Sequence, residues 1–332
     1  MSSLAVILGT LAPVFFVVLL GALLRRSGFL TERFATELNR FVFWVSLPVF
    51  LFQSIEESGK AAGSLRAALT MMAATLAVAA LSWWGAPLFG ISRRSRGTFC
   101  QSVFRSNNAY VGLPVIVFAF AGASAERLSD VRSLAAISLA PCLVLYNVLA
   151  VVVLTPNAMG AFDGVAPGAR PPRPSIRRLA TGIAHNPLII GCLSGALALW
   201  IRKRTGCEPP AFLARTLRQI GSLAGPGALL ALGASLTPER MRAAWRGAHA
   251  VAFLKLVICP LLGLLFAWLL GVEGDARFVA LAYLTCPTAV ASFVMAQAMK
   301  GDDVLAGGAV ALTTVYSAAA LALLLALAAP VL

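Results

Sequence analysis

Two polar clusters interrupt otherwise apolar stretches of this sequence, and both contain residues that break helices. The first reads Arg105-Ser106-Asn107-Asn108-Ala109-Tyr110-Val111-Gly112-Leu113-Pro114. The second reads Thr285-Cys286-Pro287-Thr288-Ala289-Val290-Ala291-Ser292, with Gln297 a little further on. Carboxamide and hydroxyl groups beside a broken helix can bind a polar or anionic ligand, because the break also leaves backbone donors and acceptors unpaired.

A single Asn, Ser or Thr in an apolar helix has a simpler explanation, which is a hydrogen bond to a neighbouring helix. We favour that explanation for Ser46, Ser222 and Ser292 taken singly. Asn107 and Asn108 instead favour a binding site, since two carboxamides beside a Gly-x-Pro break exceed what helix packing needs.

The composition places these clusters in a membrane. Of 332 residues, 59% are hydrophobic and only 12% are charged, whereas about a quarter of residues are charged in soluble proteins. A water-soluble enzyme is therefore excluded, and no catalytic spacing of His, Asp or Cys suggests a membrane enzyme. The apolar residues form ten blocks of roughly 20 residues, each long enough to cross the hydrocarbon layer as a helix. These segments span 4–24, 41–55, 65–90, 99–121, 131–154, 181–201, 211–236, 247–271, 277–299 and 303–331.

The basic residues lie mostly between the apolar segments, so the net charge of +14 indicates topology and not a nucleic-acid partner. Loops that follow odd-numbered segments carry fifteen Lys and Arg, and loops that follow even-numbered segments carry ten. Positive residues favour the cytoplasmic side. The bias predicts a multi-pass protein of the cytoplasmic (inner) membrane with both termini outside, although the basic loop around 202–218 argues against this orientation.

Prolines within the apolar segments form two matching series. Pro13, Pro48, Pro87 and Pro114 are separated by 35, 39 and 27 residues, and Pro187, Pro226, Pro260 and Pro287 by 39, 34 and 27. Chance is the alternative, since Pro is common in membrane helices, but four ordered pairs make chance the weaker explanation. Each half then holds five helices, so the second half enters the membrane from the opposite side. The prediction is an all-α protein of two inverted repeats, 1–154 and 181–332, joined by a cytoplasmic linker at 155–180.

Inverted repeats are typical of secondary transporters, whose binding sites lie where corresponding helices of the two halves are interrupted. Segments 4 and 9, which carry the two polar clusters, are the best candidates. Segments 2 and 7 form a second interrupted pair, at Ser46-Leu47-Pro48 and around Pro226.

The placement of charge limits the kind of substrate. All thirteen acidic residues lie in loops or at segment ends, whereas cation pumps and proton antiporters usually hold their ion on an intramembrane carboxylate. Lys255 lies well inside segment 8 and needs a partner, either an anionic substrate or backbone carbonyls freed by a helix break, with structural pairing slightly favoured. Arg105 is expected to snorkel to the membrane interface. Fixed positive charge favours an anionic or polar substrate, and neither a cofactor nor a metal site is indicated.

The chain resembles the auxin efflux carrier family, which includes bacterial organic-acid transporters and the plant PIN-FORMED auxin exporters. The resemblance covers nearly the whole sequence. It rests on Asn107 to Pro114, on Cys286-Pro287-Thr288-Ala289, and on weaker stretches at Pro13-Val14-Phe15, Ser46-Leu47-Pro48, Ala224-Gly225-Pro226 and Lys255 to Pro260.

This resemblance implies a fold like that of bile-acid and sodium/proton transporters, in which segments 4 and 9 cross at their proline breaks. It also implies a scaffold of segments 1, 2, 6 and 7, a moving transport part of segments 3–5 and 8–10, and a homodimer formed through the scaffold. Asn107 matches the crossover Asn that contacts the substrate carboxylate in the plant exporters. The long cytoplasmic domain of the plant members is missing here.

The leading hypothesis is a secondary transporter that moves a small organic anion, indole-3-acetate-like or malonate- or malate-like, by elevator-type alternating access. Asn107 and Asn108 would donate hydrogen bonds to the carboxylate, and Thr288 and Gln297 would line the opposite wall. The candidate substrate-binding residues are Asn107, Asn108, Tyr110, Gly112, Pro114, Pro287, Thr288, Ser292, Gln297, Ser46, Pro48 and Lys255. A sodium- or proton-coupled symporter or antiporter of the same fold is one alternative, and a non-transporting membrane sensor is another.

Overall fold

The fold is known from a computed structural model that describes residues 3–57, 65–158, 181, 184–206 and 209–328. Within these ranges the chain is helical throughout, apart from loops and one isolated pair of extended residues. The helices are α1 (Ser3–Arg26), α2 (Glu32–Phe41), α3 (Leu47–Glu57), α4 (Leu65–Gly85), α5 (Arg96–Phe104), α6 (Leu113–Ala119), α7 (Ala125–Ala158), α8 (Pro187–Thr205), α9 (Ala211–Ser222), α10 (Ala224–Ser235), α11 (Pro238–Phe253), α12 (Cys259–Leu269), α13 (Gly274–Thr285), α14 (Ala291–Ala298) and α15 (Asp303–Ala328).

Each of the ten predicted apolar segments contains helix in its described residues, and segments 2, 4, 7, 8 and 9 are each built from more than one helical piece. By length and composition, four stretches of the described chain are long and apolar enough to cross a membrane in one piece: Leu65–Phe89, Ala125–Ala158, Pro238–Leu269 and Asp303–Leu327. These stretches support a multi-pass membrane protein.

Two predicted boundaries were wrong. Residues 32–40, expected as loop, belong to the amphipathic helix α2, which Thr31 caps by accepting a hydrogen bond from the Phe34 N–H at 3.1 Å. Helix α7 continues to Ala158, so the start of the expected linker at 155–180 is helical. Residues 159–180 lie outside the described part of the chain.

Three prolines follow short π-helices in the same way. The five-residue π-helices Val42–Ser46, Asn108–Gly112 and Leu254–Ile258 are each followed by one residue and then by a proline. These prolines are Pro48, Pro114 and Pro260. A proline lacks the N–H for the usual helical hydrogen bond, and its ring clashes with the carbonyl four residues earlier, so the preceding turn widens. The prolines therefore distort these segments without ending the helix.

Small residues bring two pairs of helices into backbone contact. Where α1 packs on α10, a Cβ added to Gly233 would lie only 2.0 Å from the carbonyl oxygen of Val18. Where α3 packs on α8, a Cβ added to Gly191 would lie 2.6 Å from the carbonyl oxygen of Pro48. Gly195, one turn further along α8, makes a similar approach to α3. A glycine repeat at this four-residue spacing is a common way to pack membrane helices closely.

Candidate functional site

Segments 4 and 9 cross where their helices stop and the backbone becomes extended. Helix α5 ends at Phe104 and α13 ends at Thr285, and the two short extended stretches that follow pair in antiparallel fashion. The Asn107 N–H donates to the Pro287 carbonyl at 2.8 Å, and the Ala289 N–H donates to the Arg105 carbonyl at 2.9 Å. These two bonds satisfy backbone groups that would otherwise be unpaired in the middle of the protein.

The position of the break in segment 4 corrects the sequence prediction. The extended residue at the centre of this crossing is Ser106, paired with Thr288, whereas Pro114 lies further along in the first turn of α6. Pro287 does lie in the break of segment 9. The two prolines thus occupy different places, because Pro114 only widens a helical turn while the residues around Ser106 leave the helix altogether.

Several polar residues of the second cluster hold the crossing together. The Thr288 hydroxyl donates to the Ser102 carbonyl at 2.7 Å, and the Thr288 N–H donates to the hydroxyl oxygen of Thr313 at 3.0 Å. The Gln101 carboxamide donates to the Ser292 carbonyl at 2.9 Å. The side chain of Thr288 is therefore committed to a backbone carbonyl near the end of α5.

A small cavity lies against this crossing and encloses about 60 Å³, which is room for a few water molecules or a carboxylate group. Segments 2 and 7 form one side of it, and segments 4, 5 and 9 form the other. Its lining consists of Leu47, Phe50, Leu51, Arg105, Ser106, Asn107, Asn108, Leu143, Tyr146, Asn147, Ala224, Gly225, Ala228, Leu229, Ala289, Val290 and Ala291. We call it the crossover cavity.

Two carboxamides in the crossover cavity have no protein partner. Asn108 is 1% exposed, and neither its side-chain nitrogen nor its side-chain oxygen makes a hydrogen bond among the described residues. Asn107 is 5% exposed, and no side-chain hydrogen bond is found for it in the same part of the chain. Buried polar groups are nearly always hydrogen-bonded, so a pair of unsatisfied carboxamides beside a cavity indicates a ligand or ordered water.

Arg105 lies in the wall of the crossover cavity and does not snorkel to the interface as expected. Its side chain is buried, with Nη2 donating to the carboxamide oxygen of Asn147 at 2.7 Å and Nη1 contacting the sulfur of Met295. Asn147 in turn donates to the Leu143 carbonyl at 2.7 Å, which fixes the orientation of its amide. The lining described above contains no carboxylate, so the guanidinium charge is uncompensated by an acid within the cavity.

Lys255 has a structural partner at the crossing. The side chain is completely buried on the π-helix of segment 8, and its Nζ donates to the hydroxyl of Ser106. Lys255 does not line the crossover cavity itself, but Ser106 does. The two cations, Arg105 and Lys255, therefore lie near the carboxyl ends of α5 and α13, where positive charge is favourable.

The remaining predicted site residues do not line the crossover cavity. Gly112 is a packing position, where an added Cβ would lie 2.6 Å from Tyr283. Ser292 is buried with its hydroxyl unpaired among the described residues, and Gln297 lies near the far end of α14. Thr288 and Gln297 were expected to line the wall of the site opposite the two asparagines, but Ala289 to Ala291 line the cavity there. Ser46 is buried in a π-helix, Pro48 faces α8, and the side chain of Tyr110 lies outside the described residues.

Segment 5 supplies two cavity residues that sequence reasoning missed, Tyr146 and Asn147. The signal was present, because Asn147 is a lone carboxamide in an apolar segment, next to Tyr146 and shortly after Pro141. Within the described residues, no cluster of His, Cys, Asp or Glu has the geometry of a metal site.

An all-helical chain with several long apolar helices, crossed broken segments and a buried polar cavity belongs to the class of multi-pass membrane transport proteins. A family model described as membrane transport protein matches residues 6–325. The chain belongs to this family, the auxin efflux carrier family, and the resemblance seen in its motifs is confirmed. It is also similar to an uncharacterized transporter of Methanocaldococcus jannaschii, with 22% identity over 314 residues that cover 93% of this chain and 95% of that protein. The protein is thus a transporter and not an enzyme.

Proposed function

We propose that this protein is a secondary transporter for a small organic anion and that the crossover cavity is its substrate site. The observation that carries the proposal is the Asn108 carboxamide, which has no hydrogen-bond partner among the described residues, in a cavity that also holds Asn107 and the buried guanidinium of Arg105. Two carboxamide donors and one cation match the needs of a carboxylate, which accepts hydrogen bonds on both oxygens.

The charge of the cavity argues against a cation as the primary substrate. Its lining includes one guanidinium and no carboxylate, so a cation would meet uncharged oxygen ligands, a repelling positive charge and no negative charge to balance its own. The π-helix that begins at Asn108 and helix α14 that begins at Ala291 both start next to the crossing, and a helix carries partial positive charge at its amino end. An anion at this place would be attracted by both contributions.

We further propose that ten segments cross the membrane as two inverted repeats, 1–154 and 181–332. The helix pairings support a two-fold relation between the halves. Segment 1 packs on segment 7 while segment 6 packs on segment 2, and segments 3 and 5 pack together as segments 8 and 10 do. If each segment is replaced by its counterpart five places along, the pair 1 and 7 becomes the pair 6 and 2, and the pair 3 and 5 becomes the pair 8 and 10.

The transport step we propose is elevator-type alternating access. The crossover cavity lies between segments 2 and 7, which would belong to the scaffold, and segments 4, 5 and 9, which would belong to the moving transport part. Its volume of about 60 Å³ leaves room for a few water molecules or a carboxylate group. A bulkier substrate therefore requires the two sides to separate, and that separation would open the cavity to one face of the membrane at a time. A homodimer formed through the scaffold, in the cytoplasmic membrane, completes the proposal.

Energy coupling is proposed to come mainly from the membrane potential. Outward movement of one negative charge through an inside-negative potential is favoured by about 2.3 kcal/mol per 100 mV. Lys255, whose Nζ donates to the Ser106 hydroxyl, supplies a fixed positive charge at the crossing. A bound cation is therefore not needed there to attract the anion. Sodium- or proton-coupled transport is the competing possibility, and it predicts a flux that collapses when the ion gradient is removed at constant potential.

The test is flux in proteoliposomes with labelled indole-3-acetate, malonate and malate. Wild type is compared with Asn107→Ala, Asn108→Ala and Arg105→Met, and Ser222→Ala serves as control because that hydroxyl bonds only to the Gln219 carbonyl of its own helix. We expect the three cavity variants to lose most of the flux and the control to retain it. Equal flux in wild type and Asn107→Ala would overturn the site assignment. Saturable binding without flux would identify a sensor, and a flux that follows a sodium or pH gradient would identify coupled transport.

A further inference from the structure

A second cavity lies on the outside of the protein, between α11–α12 and α15. It is an apolar groove of about 640 Å³ that shares no lining residue with the crossover cavity. Its walls include His249, Phe253, Val257 and Leu264 on one side and Tyr316 and Leu323 on the other. Phe253, Val257, Leu264, Tyr316 and Leu323 are exposed on the outside of the protein, and the apolar outer surface of a membrane transport protein faces lipid. We call this cavity the outer groove.

One end of the outer groove is polar, and the rest is not. The His249 Nε2 lies 3.0 Å from the Tyr316 hydroxyl, and its Nδ1 lies 2.8 Å from the carbonyl oxygen of Trp245. The exposed indole of Trp245 packs on the His249 ring with the ring centres 4.2 Å apart. Trp side chains favour the membrane interface, so we expect the groove to approach the lipid headgroups on its Trp245 side.

Two arginines continue the same face of the helix beyond the polar end. Arg242 and Arg246 precede His249 by seven and three residues. Residues at these spacings lie on the same side of an α-helix, so both arginines are on the side of α11 that lines the outer groove. Both are exposed, and neither forms an ion pair among the described residues. Arg240 nearby is paired with Asp303 at 3.1 Å. Helical side chains lean toward the amino end of their helix, so both guanidinium groups extend away from the groove toward the interface.

We propose that the outer groove binds one anionic phospholipid of the bilayer. One acyl chain would lie against Phe253, Val257 and Leu264, while the phosphate would be held by Arg242 and Arg246. From His249 to Leu264 the groove extends over 15 residues, roughly 22 Å of helix. The hydrocarbon core of a bilayer is about 30 Å thick, and one leaflet takes half of it. The groove therefore has the length to receive a full acyl chain from one leaflet.

Charge selects an anionic lipid in preference to a neutral one. Glu239 precedes the two arginines, but with Arg240 taken up by Asp303 the turn keeps a net positive charge. Basic residues beside a membrane helix attract anionic lipids. A zwitterionic headgroup would bring its own ammonium next to these arginines.

The test measures the thermal unfolding midpoint of the purified full-length protein in detergent while a lipid is titrated in. The probes are dioleoylphosphatidylglycerol, dioleoylphosphatidylcholine and glycerol phosphate, which carries the charge without the chain. We expect phosphatidylglycerol alone to raise the midpoint by a few degrees in a saturable way, because a ligand that binds only the folded state stabilises it. The double variant Arg242→Ala/Arg246→Ala should lose this shift, as should Ala320→Trp, which fills the outer groove. Arg33→Ala, a basic residue elsewhere on the surface, should keep it.

Native mass spectrometry of the same samples provides a second readout, since it counts lipids that stay bound. We expect one retained phosphatidylglycerol in wild type and Arg33→Ala, and none in the double arginine variant. An equal shift with phosphatidylcholine would overturn the role of charge. An equal shift with glycerol phosphate, or an unchanged shift in Ala320→Trp, would overturn the role of the groove.

Discussion

The guanidinium of Arg105 is held by the carboxamide oxygen of Asn147 at 2.7 Å. This contact joins segment 4 to segment 5 and keeps a buried cation in the wall of the crossover cavity. The other side of the Asn147 amide donates to the Leu143 carbonyl, so its oxygen faces the arginine. Asn147 is therefore a positioning residue for the charge that we propose binds the substrate carboxylate.

Replacement of Asn147 by Asp tests this relationship. The new carboxylate would form an ion pair with Arg105 and compete with the substrate anion, so we expect the apparent KM to rise by roughly tenfold or more, which is about 1.4 kcal/mol of lost binding. Asn147→Ala, which removes the contact without adding charge, should have the smaller effect. The measurement is the concentration dependence of anion flux in proteoliposomes. Asn157→Ala is the matched control, since Asn157 donates to the Arg94 carbonyl outside the cavity. An unchanged KM in Asn147→Asp would contradict the proposed role.

Substitution of Arg105 should separate transport from stability. Arg105→Met removes a buried cation whose partners are an uncharged amide and a thioether, so the folded state is expected to be as stable or more stable. Flux should nevertheless fall by at least about a hundredfold, because the only cation in the cavity lining is lost. Arg105→Lys should restore part of the flux, since an ammonium keeps the charge but not the forked geometry. Thermal unfolding and flux on the same preparations give both readouts. Parallel loss of both would indicate a structural role instead.

Close helix packing gives a prediction that does not depend on the substrate. Gly233→Ala would place a methyl group against the Val18 carbonyl, at 2.0 Å from its oxygen, and backbone on both sides leaves little room to relax. We expect destabilisation by about 3 kcal/mol. Gly85→Ala is the matched control, because its added Cβ meets nothing within 4 Å and its φ of −78° suits any residue. That change should be neutral or stabilising by up to about 1 kcal/mol. Similar unfolding midpoints for the two variants would contradict this picture of the α1–α10 contact.

The sequence was enough to predict the helical segments and the place where they cross. Apolar length predicted helices, because a run of about 20 apolar residues has one stable form in a bilayer, and four stretches of the described chain are long and apolar enough to cross a membrane. The polar clusters drew attention to Asn107 and Asn108, because carboxamides are costly inside a membrane unless they have a function or a partner, and both residues line the crossover cavity.

Other features could not be predicted because they depend on three-dimensional pairing. The proline series suggested that Pro114 marks a break, but the chain breaks at Ser106, where pairing with Thr288 compensates for the lost helical bonds. Periodicity also gave no reason to bury Arg105, whose position near a helix end fits snorkelling equally well. The buried guanidinium is stabilised by a hydrogen bond to Asn147, which is distant in sequence and lies on a neighbouring helix.

The contact between Lys255 and Ser106 gives the last prediction, which concerns an asymmetry in stability. Ser106→Ala would leave the completely buried ammonium of Lys255 without its hydroxyl partner, and an unpartnered buried charge should cost about 3 kcal/mol of stability. Lys255→Met removes the charge together with its need for a partner and keeps a side chain of similar length, so its cost should be smaller. The double variant Ser106→Ala/Lys255→Met should then be more stable than Ser106→Ala alone. Unfolding midpoints of the four proteins form a double-mutant cycle that measures the coupling. Additive effects would show that Lys255 is held by other groups, and the structural account of its burial would then be wrong.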